Sequence, residues 1–204
     1  MDIIKLKGVS YASNTYVLIS GSDAAVVDPS VDIQAIKNVL GSAKLRYILL
    51  THCHFDHILK LDSLRAETRA EVCIHKNDAE MLKDPELNGS EFFGLEFASL
   101  GADRLLENGE FIHLGSETIE VISTPGHTPG SVCYDCGDIL VCGDTLFTSG
   151  YGRYDLPGGD PNALFNSLNK LAKRNDNPMI YPGHGASCAL SDADVIRAIR
   201  YKSF

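Results

Sequence analysis

Residues 51–57 read Thr-His-Cys-His-Phe-Asp-His, which places three of the chain's seven histidines and one aspartate within six positions at the end of an apolar run. Imidazole and carboxylate are ligands that zinc, iron and manganese accept, so the segment is a candidate metal site; a solvated polar loop is the bland alternative. Tyr47-Ile48-Leu49-Leu50 reads as a buried strand, and the histidines begin where it ends. Extended residues at i and i+2 point the same way, which aims His52 and His54 at a common point. Asp56 and His57 fall at the turn into a following helix and can face a second point nearby. One short segment could thus serve two metals.

Two metals need further ligands, and these stand at the ends of other strand-like runs. His127 lies in Thr124-Pro125-Gly126-His127-Thr128-Pro129-Gly130 after 117–123, Asp144 in Gly143-Asp144-Thr145 after 138–142, and His184 in Pro182-Gly183-His184-Gly185 after Met179-Ile180-Tyr181. A glycine precedes each, where it lets the backbone turn and approach a bound species closely. Loops beyond strand ends, held by a rigid scaffold, are where sites of layered folds commonly lie.

The elements that must position these residues follow from hydrophobic patterning. Strands are expected at 2–6, 15–20, 24–28, 45–50, 71–75, 117–123, 131–135, 138–142 and 178–181, and helices at 31–40, 58–69, 77–83, 161–173 and 192–201. Ser30 is the candidate N-cap of the first helix; Asp160 caps the fourth, with Pro161 in its first turn. Two β-rich halves with dispersed helices suggest two sheets packed face to face with helices outside, in one domain over 1–204.

Composition bounds the function. A hydrophobic content of 44% with 22% charged residues is that of a globular chain. The net charge of −9, with its acidic residues scattered, disfavours nucleic acid, whose binding rests on clustered Lys and Arg. No stretch approaches the ~20 apolar residues of a membrane span, and the start lacks a signal-peptide core, so a cytoplasmic location is expected. The six cysteines are expected to be reduced, Cys133-x-x-Cys136 included, since that pair lies in strand-like sequence. His75 and His113 match no ligand pattern and read as structural.

Taken together, Thr51 to His57, Thr124 to Ser131, Cys142 to Phe147, Gly152 to Asp160 and Tyr181 to Gly185 resemble the motifs of the metallo-β-lactamase superfamily, in order and over nearly the whole chain. The branch they look like is that of glyoxalase II-like hydrolases, such as hydroxyacylglutathione hydrolase. The resemblance implies an α+β, four-layer αββα sandwich with a binuclear site on one edge. It implies that His52, His54 and His127 bind one metal, that Asp56, His57 and His184 bind a second, and that Asp144 bridges them. The two divalent ions would be zinc in the first place, with iron or manganese as alternatives.

Hydrolysis is the chemistry such a site implies: two dications acidify a shared water and take up the developing oxyanion, with Asp56 and Asp144 as the catalytic carboxylates. A small-molecule thioester such as S-D-lactoylglutathione is the expected substrate. In this sequence 20 residues follow His184, so the resemblance is to a short form without the C-terminal helical domain that helps hold glutathione. Persulfide dioxygenases, which use one iron, share much of the motif set and give the alternative reading; a non-enzymatic metal-binding protein is the third. Arg153 and Asp155 are candidates to support a ligand or touch substrate, or else form a self-contained salt bridge. Phe92 and Phe93, in the irregular stretch 84–101, would wall a pocket for the acyl group or pack over the core.

Overall fold

The computed structural model describes residues 1–201. Six strands form a first sheet in chain order: β1 (Asp2–Leu6), β2 (Thr15–Ser20), β3 (Asp23–Val27), β4 (Lys44–Leu49), β5 (Glu71–His75) and β6 (Arg104–Leu106). β1, β2 and β3 are antiparallel, whereas β3 to β6 run parallel. The second sheet runs β7 (Phe111–Leu114), β8 (Glu117–Ser123), β9 (Val132–Asp135), β10 (Ile139–Gly143), β11 (Met179–Pro182) and β12 (Cys188–Ala189), parallel only at β10–β11.

Period-two alternation explains why both faces of each sheet are covered. In β2, Tyr16 and Leu18 face the core between the sheets, where they meet Ile119, Val121 and Val141. Val17 faces outward onto Ile36 and Leu40 of α1 (Ile33–Leu40) and Leu61 and Leu64 of α2 (Leu61–Thr68). On the far side, Leu140 and Cys142 of β10 meet Leu164, Leu168 and Leu171 of α3 (Pro161–Ala172) and Ile196 of α4 (Asp194–Tyr201). The result is the expected αββα sandwich. No described helix is long and apolar enough to cross a membrane.

The structure departs from the sequence reading in three places. The N-cap of α1 is Asp32 and not Ser30: the Asp32 carboxylate accepts from the amides of Gln34 and Ala35, while Ser30 Oγ donates to the Asp56 carbonyl. Residues 77–83 are not an α-helix but a turn and a single 3₁₀ turn, Met81–Lys83. Asp84 precedes a proline, which disfavours helical backbone there, and is extended at φ −116°. The short strands β6 and β12 carry too few residues for a periodic signal.

At α3 the reading holds: Asp160 Oδ1 accepts from Asn162 N and Ala163 N at 2.8 and 3.1 Å, and Pro161 occupies the first turn. Asp160→Ala should therefore cost about 1 kcal/mol of stability, visible as a lower midpoint in urea with unchanged slope, whereas Asp160→Asn should cost a few tenths at most.

Candidate metal centre

Strand direction brings four loops to one edge. β8 and β10 flank β9, antiparallel to both, and β10 runs parallel to β11, so the three strands deliver His127, Asp144 and His184 at the same end. The loop after β4 joins them from the first sheet, tied by Val132 N donating to the Thr51 carbonyl and Tyr134 OH to that of Leu50.

The side chains converge in two overlapping groups. His52 Nε2 and His54 Nδ1 both meet His127 Nε2, at 3.2 and 2.9 Å. His57 Nε2 lies 3.3 Å from Asp144 Oδ1 and 3.7 Å from Asp56 Oδ2, and His184 Nε2 lies 3.1 Å from Asp56 Oδ2. Asp144 stands between the groups, with Oδ2 3.8 Å from His127 Nε2 and 3.7 Å from His184 Nε2. Asp56 and His57 reach their place on a 3₁₀ turn, Phe55–His57, ahead of α2.

The far side of three rings is fixed by acceptors. His57 Nδ1 donates to Asp28 Oδ2 at 2.8 Å, His127 Nδ1 to the Arg153 carbonyl at 2.6 Å, and His52 Nδ1 lies 3.0 Å from Thr51 Oγ1. Such contacts set the tautomer and leave Nε2 as the donor to a cation. Asp28 also accepts from Thr51 N and Thr51 Oγ1, at 2.8 and 2.7 Å, from a backbone held at φ +52°.

Burial and charge divide the imidazoles. Desolvation and the neighbouring imidazoles push His52 well below its ordinary pKa, and burial with the His127 ring pushes His54 down to about 3. For His57 burial acts the same way, but the carboxylates of Asp144, Asp56 and Asp28 prevail and raise it well above its ordinary value. Against the cost of its burial, the adjacent His57 holds Asp144 far below the carboxylate range.

The donor set fits divalent cations. Buried His57 Nε2 and Asp144 Oδ1 face each other with no hydrogen-bond partner among the described residues. The three ligand-capable clusters, His52/His54/His127, His52/His57/Asp144 and Asp56/His57/His184, each keep their donor atoms within 4.8 Å. Space is kept by Gly183, where a Cβ would come 2.2 Å from Asp144 Oδ1 and 2.5 Å from His57 Cε1.

The sequence profile of the Metallo-beta-lactamase superfamily matches residues 10–184, a span that contains all seven of these side chains. The chain belongs to the metallo-β-lactamase superfamily. Within it, "Probable metallo-hydrolase YqgX" of Bacillus subtilis is 37% identical over 85% of either chain. Hydroxyacylglutathione hydrolase of Acidiphilium cryptum is 36% identical over 80% of this chain and 60% of its own length. Among solved structures, BLEG-1 B3 metallo-β-lactamase superposes with a TM-score of 0.87 at 34% identity, covering 94% of this chain and 95% of its own. TTHA1623 in a di-iron-bound form gives 0.79 at 31%, covering 94% and 96%.

Seen on the metallo-β-lactamase fold, the remaining sequence candidates separate. Arg153 and Asp155 close on each other, with Nε and Nη2 donating to Oδ1 and Oδ2 at 2.7 and 2.8 Å, and it is the Arg153 carbonyl that reaches His127. Phe93 lines the cleft beside the cluster, whereas Phe92 is 61% exposed and borders a different depression with Glu86 and Glu91. His75 and His113 lie on β5 and β7, outside the cluster. All six cysteines are free thiols, four of them buried.

Three supporting residues escaped the sequence reading. Asp28 follows the end of β3, a strand-end position like those of His127 and Asp144 but without their preceding glycine, and the strand end alone is the signal that could have found it. Buried Asp78 joins the two histidine loops, accepting from Cys53 N, Thr128 Oγ1 and Gly130 N at 3.0, 2.7 and 2.6 Å. Asn14 grips the His184 loop, donating from its amide N to the Gly183 carbonyl at 2.7 Å and from Nδ2 to those of Pro182 and Gly185 at 3.0 and 3.2 Å. Nothing in the local sequence marks these two.

Two outcomes follow. Asp28→Asn should weaken zinc binding by about 10–100-fold, measured by competition with a chromophoric chelator, with the fold retained. Since the carboxylates of Asp144, Asp56 and Asp28 raise the pKa of His57, a cation held there would compete with a proton. Calorimetric zinc titrations in two buffers of different ionisation enthalpy should show release of about one proton or more, and affinity should fall as pH is lowered.

Proposed function

We propose that the chain is a binuclear metal-dependent hydrolase of thioesters such as S-D-lactoylglutathione. In this reading His52, His54 and His127 hold one metal, Asp56, His57 and His184 the other, and Asp144 both. The observation that carries it is the convergence of the two groups on the Asp144 carboxylate beside an open cleft. The di-iron form of TTHA1623 supports two metals, the name of YqgX supports a metallo-hydrolase, and the Acidiphilium cryptum enzyme supports a glutathione thioester. Zinc is the first metal to load; iron and manganese suit the same nitrogen and oxygen donors.

When bound, the dications would supply a water acidic enough to ionise near neutral pH and a Lewis acid for a carbonyl oxygen. Asp56, which lines the cleft, would accept a hydrogen bond from the attacking water and orient it. Asp144 would fix the separation of the two ligand groups. The reaction adds water across the acyl C–S bond: a C–O bond forms, the C–S bond breaks, and the thiol retains a proton that water supplied. A thiolate, with a parent pKa near 8.5, leaves without a strong general acid, consistent with a cleft lined by carboxylates and imidazoles. The whole chain, 1–204, would act as one domain on a small molecule in the cytoplasm.

Zinc-loaded protein should hydrolyse S-D-lactoylglutathione, followed by thiol release. Asp144→Ala should lose bound metal and about 100-fold or more in kcat/KM, whereas His113→Ala should change neither. Unaltered metal content and rate in Asp144→Ala would sink the assignment. Iron-loaded protein given glutathione persulfide should consume no oxygen; uptake would replace hydrolysis by persulfide dioxygenation. The likeness to BLEG-1 makes a β-lactam the second carbonyl compound to assay.

A further inference from the structure

The cleft beside the metal-ligand cluster, of about 310 Å³, has a wall that the chemistry above does not use. Phe55, adjacent in sequence to Asp56, is flanked by Tyr11 and Phe93, with ring centroids at 5.7 and 5.1 Å. Phe55, 3% exposed, backs this wall, and Tyr11 and Phe93 supply its open surface. Tyr11 is 50% and Phe93 55% exposed, so aromatic area stands uncovered next to a site whose histidines are mostly buried. Phe147, its ring 6.3 Å from that of His184, and Leu156 add apolar lining from two other loops.

Charge recognition is poorly provided for by comparison. Besides the histidines, Arg153 is the basic side chain among the lining residues, and its guanidinium is already bound in two-pronged fashion by Asp155. Carboxylate ligands are held by free Arg or Lys, with Arg supplying paired N–H donors. Glutathione carries two carboxylates, and the chain as a whole carries a net charge of −9. A charged thiol pressed against the aromatic wall would lose its hydration without a compensating partner.

We propose that the cleft selects its thioester through the apolar surface of the acyl group, laid against Tyr11 and Phe93 with Phe55 behind them, and not through charges on the thiol. The proposal rests on the hydrolase reading for the identity of the reacting bond. Its substrates are thioesters of medium-length aliphatic or aryl acids, with a small polar acyl group such as lactoyl among the weaker ones.

Thioethers that cannot be hydrolysed test the cleft apart from the chemistry. S-hexylglutathione, S-methylglutathione and S-hexyl-N-acetylcysteamine, the last without the glutathione charges, would be titrated calorimetrically into zinc-loaded protein. Each methylene withdrawn from water contributes about fourfold in affinity, so a hexyl group partly laid against the wall should bind at least about tenfold more tightly than methyl. The uncharged hexyl thioether should bind within about threefold of S-hexylglutathione, and Phe93→Ala should bring the hexyl-to-methyl ratio below about threefold. A general disturbance of the site would lower both affinities together and leave that ratio unchanged. Equal binding of hexyl and methyl, or a loss of about tenfold or more on removing the glutathione charges, would overturn the proposal. Absence of turnover of both S-D-lactoylglutathione and S-hexanoylglutathione bears on the hydrolase reading instead, since thioether binding requires no turnover.

Discussion

Five imidazoles and two carboxylates share one edge of this sandwich at separations where their charges cannot be chosen independently. Water cannot screen most of them, because four of the rings are buried. The protein resolves the conflict by division: burial and the neighbouring rings push His52 and His54 toward the neutral form, while the carboxylates of Asp144, Asp56 and Asp28 push the pKa of His57 up. Lone pairs and carboxylate oxygens then point at common centres. A cation is the species that satisfies such a set, and the rest of the structure serves to prevent the side chains from relaxing apart.

That restraint is distributed over both sheets. Asp28, from the first sheet, holds the outer nitrogen of His57 and both the amide and hydroxyl of Thr51. Asp78 bonds the His54 and His127 loops to each other, although burial raises its pKa and makes its charge costly. Asn14 and Tyr16, at and near the start of β2, hold the loop of His184 on the opposite sheet. Close packing completes the work. At Gly143, φ is +49° and a Cβ would lie 2.4 Å from Thr51 Oγ1, so the chain can pass there only without a side chain.

The loops that wall the cleft obey a looser rule. Residues 84–101 contain one short 3₁₀ turn, Glu91–Phe93, and place Phe93 toward the cleft and Phe92 away from it. Neighbouring phenylalanines in such a turn diverge, so their shared character says nothing about which one meets a ligand. A fixed floor of ligands with variable walls is how one scaffold can carry different substrate preferences.

What the sequence determined by itself was the inventory. Alternating apolar residues located most strands, the Asp160-Pro161 start located α3, and His52, His54, Asp56, His57, His127, Asp144 and His184 could be picked out because each stands where an apolar run stops. Those are local signals, carried by spacing along the chain. Tertiary structure decided which of these atoms meet, that Arg153 acts on His127 through its carbonyl while its guanidinium is taken by Asp155, and that Asp28, Asp78 and Asn14 hold the loops together. It also decided that 77–83 turns instead of forming a helix, since Asp78 is drawn into hydrogen bonds with residues 25 to 52 positions away. The division has a physical cause: periodicity and caps act within a few residues, whereas a site's geometry is set by pairings across sheets whose partners have no fixed separation in sequence.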